Sequence, residues 1–240
     1  MASIKLQGDT SGELTISAPA VAGTNTITLP ASTGTIVTDT GAQTIEFSAG
    51  SVGTPSVTTT GDTNTGMFFP AADTIAFAKG GAEAMRIDSS GAVTMPAQPA
   101  FSVYNSTAQN NIGTDWTTIN MDTEIFDQNA DFNTGTYTFT APVTGKYLLT
   151  TQVCTKDIDN ATAWFMVAIQ TSNRGYNASR TTGHWSADSN GFNKGIPMTA
   201  VADMDANDTA YVRFYRYIGA ATTDIIASSE YSFFQGYLLG

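Results

Sequence analysis

The chain reads as an all-β protein, and three observations carry that reading. Apolar and polar residues alternate over short stretches, as in Thr136–Ala141, which is the period of a strand with one buried face. Threonine is abundant beside Val, Ile, Tyr and Phe, the composition of strands, while Gly, Asn and Asp recur at short intervals as turn formers. No amphipathic helical pattern extends beyond about two turns.

Residues 1–40 hold three short Thr/Ile pieces, Leu14–Ser17, Thr26–Leu29 and Thr35–Thr38, set between Pro, Gly and Ala turns. Strands that short do not offset their ordering entropy alone. Either the segment is a disordered tail, or several copies wrap round one axis and share a core. The regular return of apolar positions favours the second.

Residues 41–98 present a fixed succession. A Gly61–Gly66 turn leads into Met67–Pro70, then Thr74–Ala78, a Gly80-Gly81 hairpin, and Glu83–Ile87 closed by Asp88-Ser89-Ser90-Gly91. Phe68, Phe69, Ile75, Phe77, Met85 and Ile87 are expected inside a narrow β-prism, with Thr, Asp and Glu outside; a ligand-binding aromatic cluster is the alternative. Pro96 and Pro99 interrupt any ladder and predict a short stiff link before a domain over 99–240.

In that last domain, Trp116, Ile119, Met121, Ile125 and Phe126 continue the alternation. Tyr137, Phe139 and Ala141 are expected to face inward, Pro142–Gly145 to form a tight turn, and Tyr147 and Leu149 to resume the pattern. Trp164–Ile169 suits a strand buried on both faces or at a subunit boundary. Along Tyr211–Tyr217, the side chains of Tyr211, Arg213, Tyr215 and Tyr217 share one face, a composition expected at a trimer contact.

Asp127, Phe132, Phe139, Gly145 and Tyr147 stand at the offsets of the C1q-like signature, with Met121 and Leu149 where it has phenylalanine. Asn207–Val212 resembles the turn and strand that follow in those domains, and Phe234–Leu239 their terminal strand. Residues 100–240 therefore resemble a C1q-like domain of the C1q and tumour-necrosis-factor superfamily. The resemblance implies a jelly-roll sandwich, a homotrimer, and binding or scaffolding in place of catalysis. Residues 1–98, including GTNTITLP, resemble shaft and neck modules of bacteriophage tail fibres. Together these imply an elongated, intertwined trimeric β shaft and neck carrying the head. Residues 1–40 would attach to other virion proteins, and the head would meet a host surface glycan or protein. A capsid or tail decoration protein without receptor binding is the alternative, and a polysaccharide-degrading fibre a further one.

Composition narrows the partners. The net charge is −11 and the 10 basic residues are scattered, so nucleic acid is not expected. The start, MASIKLQGDTSGEL, has neither the basic nor the apolar stretch of a secretory signal, and no run approaches the roughly 18 apolar residues of a membrane span. Synthesis in a host cytoplasm and a place on the virion surface are the expectation. The single cysteine, Cys154, lies in an apolar strand pattern and reads as a buried side chain, and the single histidine, His184, as a loop residue.

No catalytic residues and no required cofactor are expected. Paired carboxylates at Asp157/Asp159 or among Asp203, Asp205 and Asp208 could serve glycoside cleavage, but they stand in turn contexts. Asp203, Asp205, Asn207 and Asp208 also supply four oxygen groups that would suit calcium. Receptor binding is expected on the segment 174–194, through Arg174, Tyr176, Arg180, His184, Trp185 and Phe192, where aromatic rings stand among polar groups.

Overall fold

In the computed structural model of the chain, residues 3–7, 13–17, 46–158, 162–181, 194–218 and 223–240 are described. The chain divides into two compact units, 1–46 and 47–240. In the first, β1 (Ser3–Gln7) pairs antiparallel with β2 (Glu13–Ser17), setting Ile4 opposite Ile16 and Leu6 opposite Leu14. Thr26–Leu29 and Thr35–Thr38 lie outside the described residues.

The second unit opens with an antiparallel meander of β3 (Val57–Thr59), β4 (Asp62–Phe68), β5 (Ile75–Lys79), β6 (Ala82–Ile87) and β7 (Val93–Thr94). Gly80 and Gly81 both take positive φ, as a two-residue hairpin turn requires. Asp88 closes the next turn by accepting the N–H groups of Ser90 and Ala92 on Oδ1.

Of the residues expected inside a prism, Ile75, Phe77, Met85 and Ile87 share one face, and the correction concerns Phe68, which register sets on the other. Phe68 is buried with Ala76 and Ala78, while Ile75 and Phe77 point to the opposite, exposed face. Strand alternation is the reason: Ala76 and Ala78 cannot share a face with Ile75 and Phe77. The link at Pro96–Pro99 is fastened to the following sandwich. Gln128 Nε2 donates to the carbonyls of Met95 and Gln98, Asn129 Nδ2 to that of Ala97, and Gln98 Nε2 to that of Leu238.

The remainder builds two facing sheets. The larger runs β11 (Thr123–Asp127), β8 (Ala100–Tyr104), β20 (Phe233–Leu238), β14 (Gly145–Lys156), β19 (Thr223–Ile225), β9 (Gln109–Ile112), with β17 (Lys194–Met204) also on β14. The smaller runs β12 (Phe132–Asn133), β13 (Thr138–Thr140), β18 (Thr209–Tyr217), β15 (Trp164–Thr171), β16 (Gly175–Thr181), with β10 (Thr117–Thr118) added to β18. This is a jelly-roll sandwich. Strands adjacent in sequence seldom pair, so the Pro142–Gly145 turn carries the chain from the smaller sheet to the larger and is no hairpin.

Between the sheets, Phe101 stacks on Phe139 at 4.6 Å and meets Phe234 edge-on at 5.1 Å, with Phe132 at 5.3 Å. Tyr147, wholly buried, closes the cluster and donates its hydroxyl to the Val143 carbonyl at 2.7 Å. Ile119 and Met121 join this core as expected, but Trp116, Ile125 and Phe126 are exposed, the last two beside a bulge between Glu124 and Phe126. Tyr137 is likewise no inward strand residue. It sits in a turn at φ 59°, and the strand begins at Thr138.

Gly236 lies under the Phe101 ring, where a Cβ would overlap Cε1 of Phe101 and stand 3.0 Å from Leu149 Cδ2. Gly236→Ala should therefore cost about 2 kcal/mol, lowering the melting temperature by roughly 4–8 °C in a thermal scan.

Candidate functional site

The outward face of the smaller sheet carries a continuous aromatic strip. Along β18, Val212, Phe214 and Arg216 turn inward, so Tyr211, Arg213, Tyr215 and Tyr217 turn outward. The expected shared face is therefore present. Cross-strand pairing then sets Trp164 opposite Tyr217 and Met166 opposite Tyr215. On the other side of β18, Thr117 pairs with Phe214, which brings the preceding residue, Trp116, onto the outward face.

The rings touch in sequence. Trp116 and Tyr215 lie 5.2 Å apart, Tyr215 and Trp164 5.3 Å, and Trp164 stacks on Tyr217 at 5.4 Å with 17° between planes. The Arg213 guanidinium sits 4.0 Å over the Trp116 ring, and its Nε is buried with no hydrogen-bond partner. The cation is held by the ring face, an attraction worth about 1 kcal/mol. Tyr217 keeps 44% of its surface exposed, and Trp116 is exposed beside the half-buried Tyr215 and Trp164. Such a surface offers flat rings and a cation to a ligand, with Thr118, Asn177 and Gln170 placed by register on the same face. On the inward side of the same strand, Arg216 is buried, donating Nε to the Ile112 carbonyl at 2.8 Å and Nη1 to that of Ile218 at 3.0 Å.

Of the residues expected to bind a receptor, Arg174, Tyr176 and Arg180 lie among the described residues. Tyr176 pairs with Ile169 and packs against the core, because it falls on the inward phase of β16. Arg174 lies in the β15–β16 turn and donates to Asp203 Oδ2 at 2.9 Å. Arg180 belongs to β16, while His184, Trp185 and Phe192 lie outside the described residues.

The carboxylates of the β17–β18 turn serve the turn itself. Asp208 Oδ2 accepts from the Asp205 N–H and from Asn173 Nδ2, Asn207 adopts φ 75°, and Asp203 is paired with Arg174. Among the described residues no three His, Cys, Asp or Glu side chains converge as a cation would require. Asp159, a partner in the other carboxylate pair, lies outside them. Cys154 is buried, and burial holds its thiol above the ordinary range, which disfavours the nucleophilic thiolate.

The C1q domain model matches residues 100–239. The chain belongs to the C1q domain family. Domains of this family are often trimeric, bind partners and are generally non-enzymatic. Among solved structures, the C1q-family chain is similar to the globular domain of zebrafish complement 1qA protein, at 17% identity over 60% of this chain and 98% of that one, with a TM-score of 0.42. It is also similar to murine APRIL (14% identity, 59% and 99%, TM-score 0.44) and to Eiger TNF from S. frugiperda (13%, 60% and 94%, TM-score 0.41). No curated protein matches it.

Trp116 and Trp164 are the members of the strip that sequence reasoning did not assign. Trp164 was within reach, since it alternates with Phe165, whereas the pairing of β10 with β18 joins residues distant along the chain. Arg213→Ala should lower stability by about 1 kcal/mol and alter the tryptophan emission spectrum as Trp116 loses its cation. A thiol reagent at neutral pH should leave Cys154 unmodified until denaturant is added, as followed by mass spectrometry.

Proposed function

We propose that this C1q-family chain is a non-enzymatic, homotrimeric virion fibre protein of a bacteriophage, and that its head binds the host surface through the aromatic strip. The observation that carries the reading is the strip itself: four contacting rings and an arginine turned outward on a rigid sheet. Tryptophan, tyrosine and arginine supply large contact area at small entropy cost, which is why they dominate binding surfaces. In this reading the head needs no cofactor, residues 1–40 attach to the particle, and the protein works on the virion surface. The succession of Gly/Asp/Thr turns and short strands ahead of the head supports the fibre setting.

A homotrimer needs a second surface, and the outward face of the larger sheet supports one. Val201, Leu148 and Tyr237 form one cross-strand row there, with Val201 54% exposed and Tyr237 also exposed. We assign the subunit contact to that row in preference to Tyr211, Arg213, Tyr215 and Tyr217, of which Arg213, Tyr215 and Tyr217 already pack on Trp116 or Trp164 of the same chain.

The test is a Trp116→Ala/Tyr217→Ala double variant of the full chain, fluorescently labelled and mixed with cells of the bacterium on which the phage grows. Adsorption should fall at least tenfold while sedimentation remains that of a trimer. Unchanged adsorption would remove the strip as the host contact, and dissociation would return it to the subunit interface.

A further inference from the structure

The aromatic strip carries a single charge, and we infer that its ligand is an acidic polysaccharide, with the carboxylate of a uronic-acid unit on the Arg213 guanidinium and sugar rings laid along Trp116, Tyr215 and Trp164. This assignment of a ligand rests on the host contact proposed above. Register sets the surroundings of Arg213. Asn177, Ala168, Arg213 and Thr118 form one row across β16, β15, β18 and β10. Ser179, Met166 and Tyr215 form the row on one side, and Gly175, Gln170 and Tyr211 the row on the other. Directly opposed residues share a face, as do residues two apart on a strand, so the three rows make one surface. Arg213 is its one charged residue and none is a carboxylate, although the chain holds 21 acidic residues and 10 basic ones.

That cation is unspent. Among the described residues no carboxylate pairs with Arg213, including Asp115 beside Trp116. Its contact is the Trp116 ring at 4.0 Å, which balances no charge, and its Nε has no hydrogen-bond partner. A guanidinium held by a ring face keeps its planar fork of N–H donors for a bidentate anion.

The total charge of −11 repels a polyanion only at long range. Screening confines each charge to about 8 Å at physiological ionic strength, so the face decides and the total does not. A single cation matches the single charge of a carboxylate, whereas a phosphomonoester carries nearly two. The neighbours suit a sugar. Asn177 and Ser179 are exposed and Thr118 and Gln170 half-buried, and their amides and hydroxyls exchange hydrogen bonds with hydroxyls without repelling an acid. Tryptophan and tyrosine offer flat apolar surface with a polar edge, which fits the C–H face of a pyranose. Same-face positions recur about 4.8 Å apart across strands and about 6.6 Å along them, so a chain with hydroxyls on most of its carbons meets several polar groups at once. An acidic peptide brings the charge without the hydroxyls.

The experiment is a calorimetric titration of the full chain with hexamers of galacturonic and of glucuronic acid, with their methyl esters, and with oligo-aspartate. The acids should bind, and the esters at least about tenfold more weakly, because esterification removes the charge-assisted pair. That comparison uses the parent chain alone, so no variant's loss of fold affects it. Arg213→Gln should bring the acid down to the level of the ester, and Arg213→Lys should keep part of the preference. Equal binding of acid and ester, binding of neither acid, or an Arg213→Gln variant that still prefers the acid overturns the assignment. Tighter binding of oligo-aspartate than of either uronate also overturns it, in favour of a protein ligand. Adsorption of the Trp116→Ala/Tyr217→Ala variant separates this assignment from the host contact. If that variant loses adsorption while neither uronate binds the parent, the strip stays the host contact and its ligand is not an acidic sugar. If uronate binds through Arg213 while the variant adsorbs as the parent does, the host contact falls and the acidic-sugar site stands.

Discussion

The packing of the Phe101 ring onto Gly236 is the constraint on which the sandwich depends. It lets β8 and β20 lie side by side with an aromatic ring over the backbone, and it brings Phe132, Phe139 and Phe234 into contact around one centre. Each ring pair contributes about 1 kcal/mol beyond its burial. Tyr147 extends the cluster while keeping its hydroxyl satisfied at the Val143 carbonyl, so a polar group enters the core at little cost. Because Phe101 and Phe234 belong to the larger sheet and Phe132 and Phe139 to the smaller, the same contacts set the two sheets against each other.

Once the inward phase of each strand is committed to that core, the outward phase is free for contact with other molecules. β18 illustrates the division: Val212 and Phe214 fill the interior while Tyr211, Arg213, Tyr215 and Tyr217 are presented outside. The chain spends few charges on its surface, only 13% of residues. Threonine supplies much of its solvation, and outward apolar positions stand out against that neutral background. Three groups of them run continuously across neighbouring strands: the strip on the smaller sheet, the row Val201–Leu148–Tyr237 on the larger, and the two rows of the meander, Val57–Met67–Phe77–Met85 and Ile75–Ile87–Val93. In the fibre proposed above, the first would meet the host surface and the second the other copies.

Much of the architecture was legible in the residues. The all-β class, the Gly80-Gly81 hairpin, the inward positions of Phe139, Ala141, Tyr147 and Leu149, and the shared face of Tyr211, Arg213, Tyr215 and Tyr217 follow from side-chain period and turn chemistry. These are local properties, set by two-residue alternation and by the dihedrals that glycine and proline allow. Where the period was read against the wrong neighbours it failed: Tyr137 belongs to a turn, Tyr176 faces the core, and Phe68 lies on the face of Ala76 and Ala78, away from Ile75 and Phe77.

What the sequence by itself determined is therefore which residues could alternate and where the chain must turn. Only the tertiary structure decided which phase of each strand meets the core, that Pro142–Gly145 changes sheets, and that Trp116 and Trp164 flank the β18 tyrosines in one strip. The physical reason is that period 2 is the same for either face. A strand's sidedness is settled by the sheet it faces across the core, and here the pairings that build those sheets join residues far apart in the chain, as β8 joins β20 and β10 joins β18.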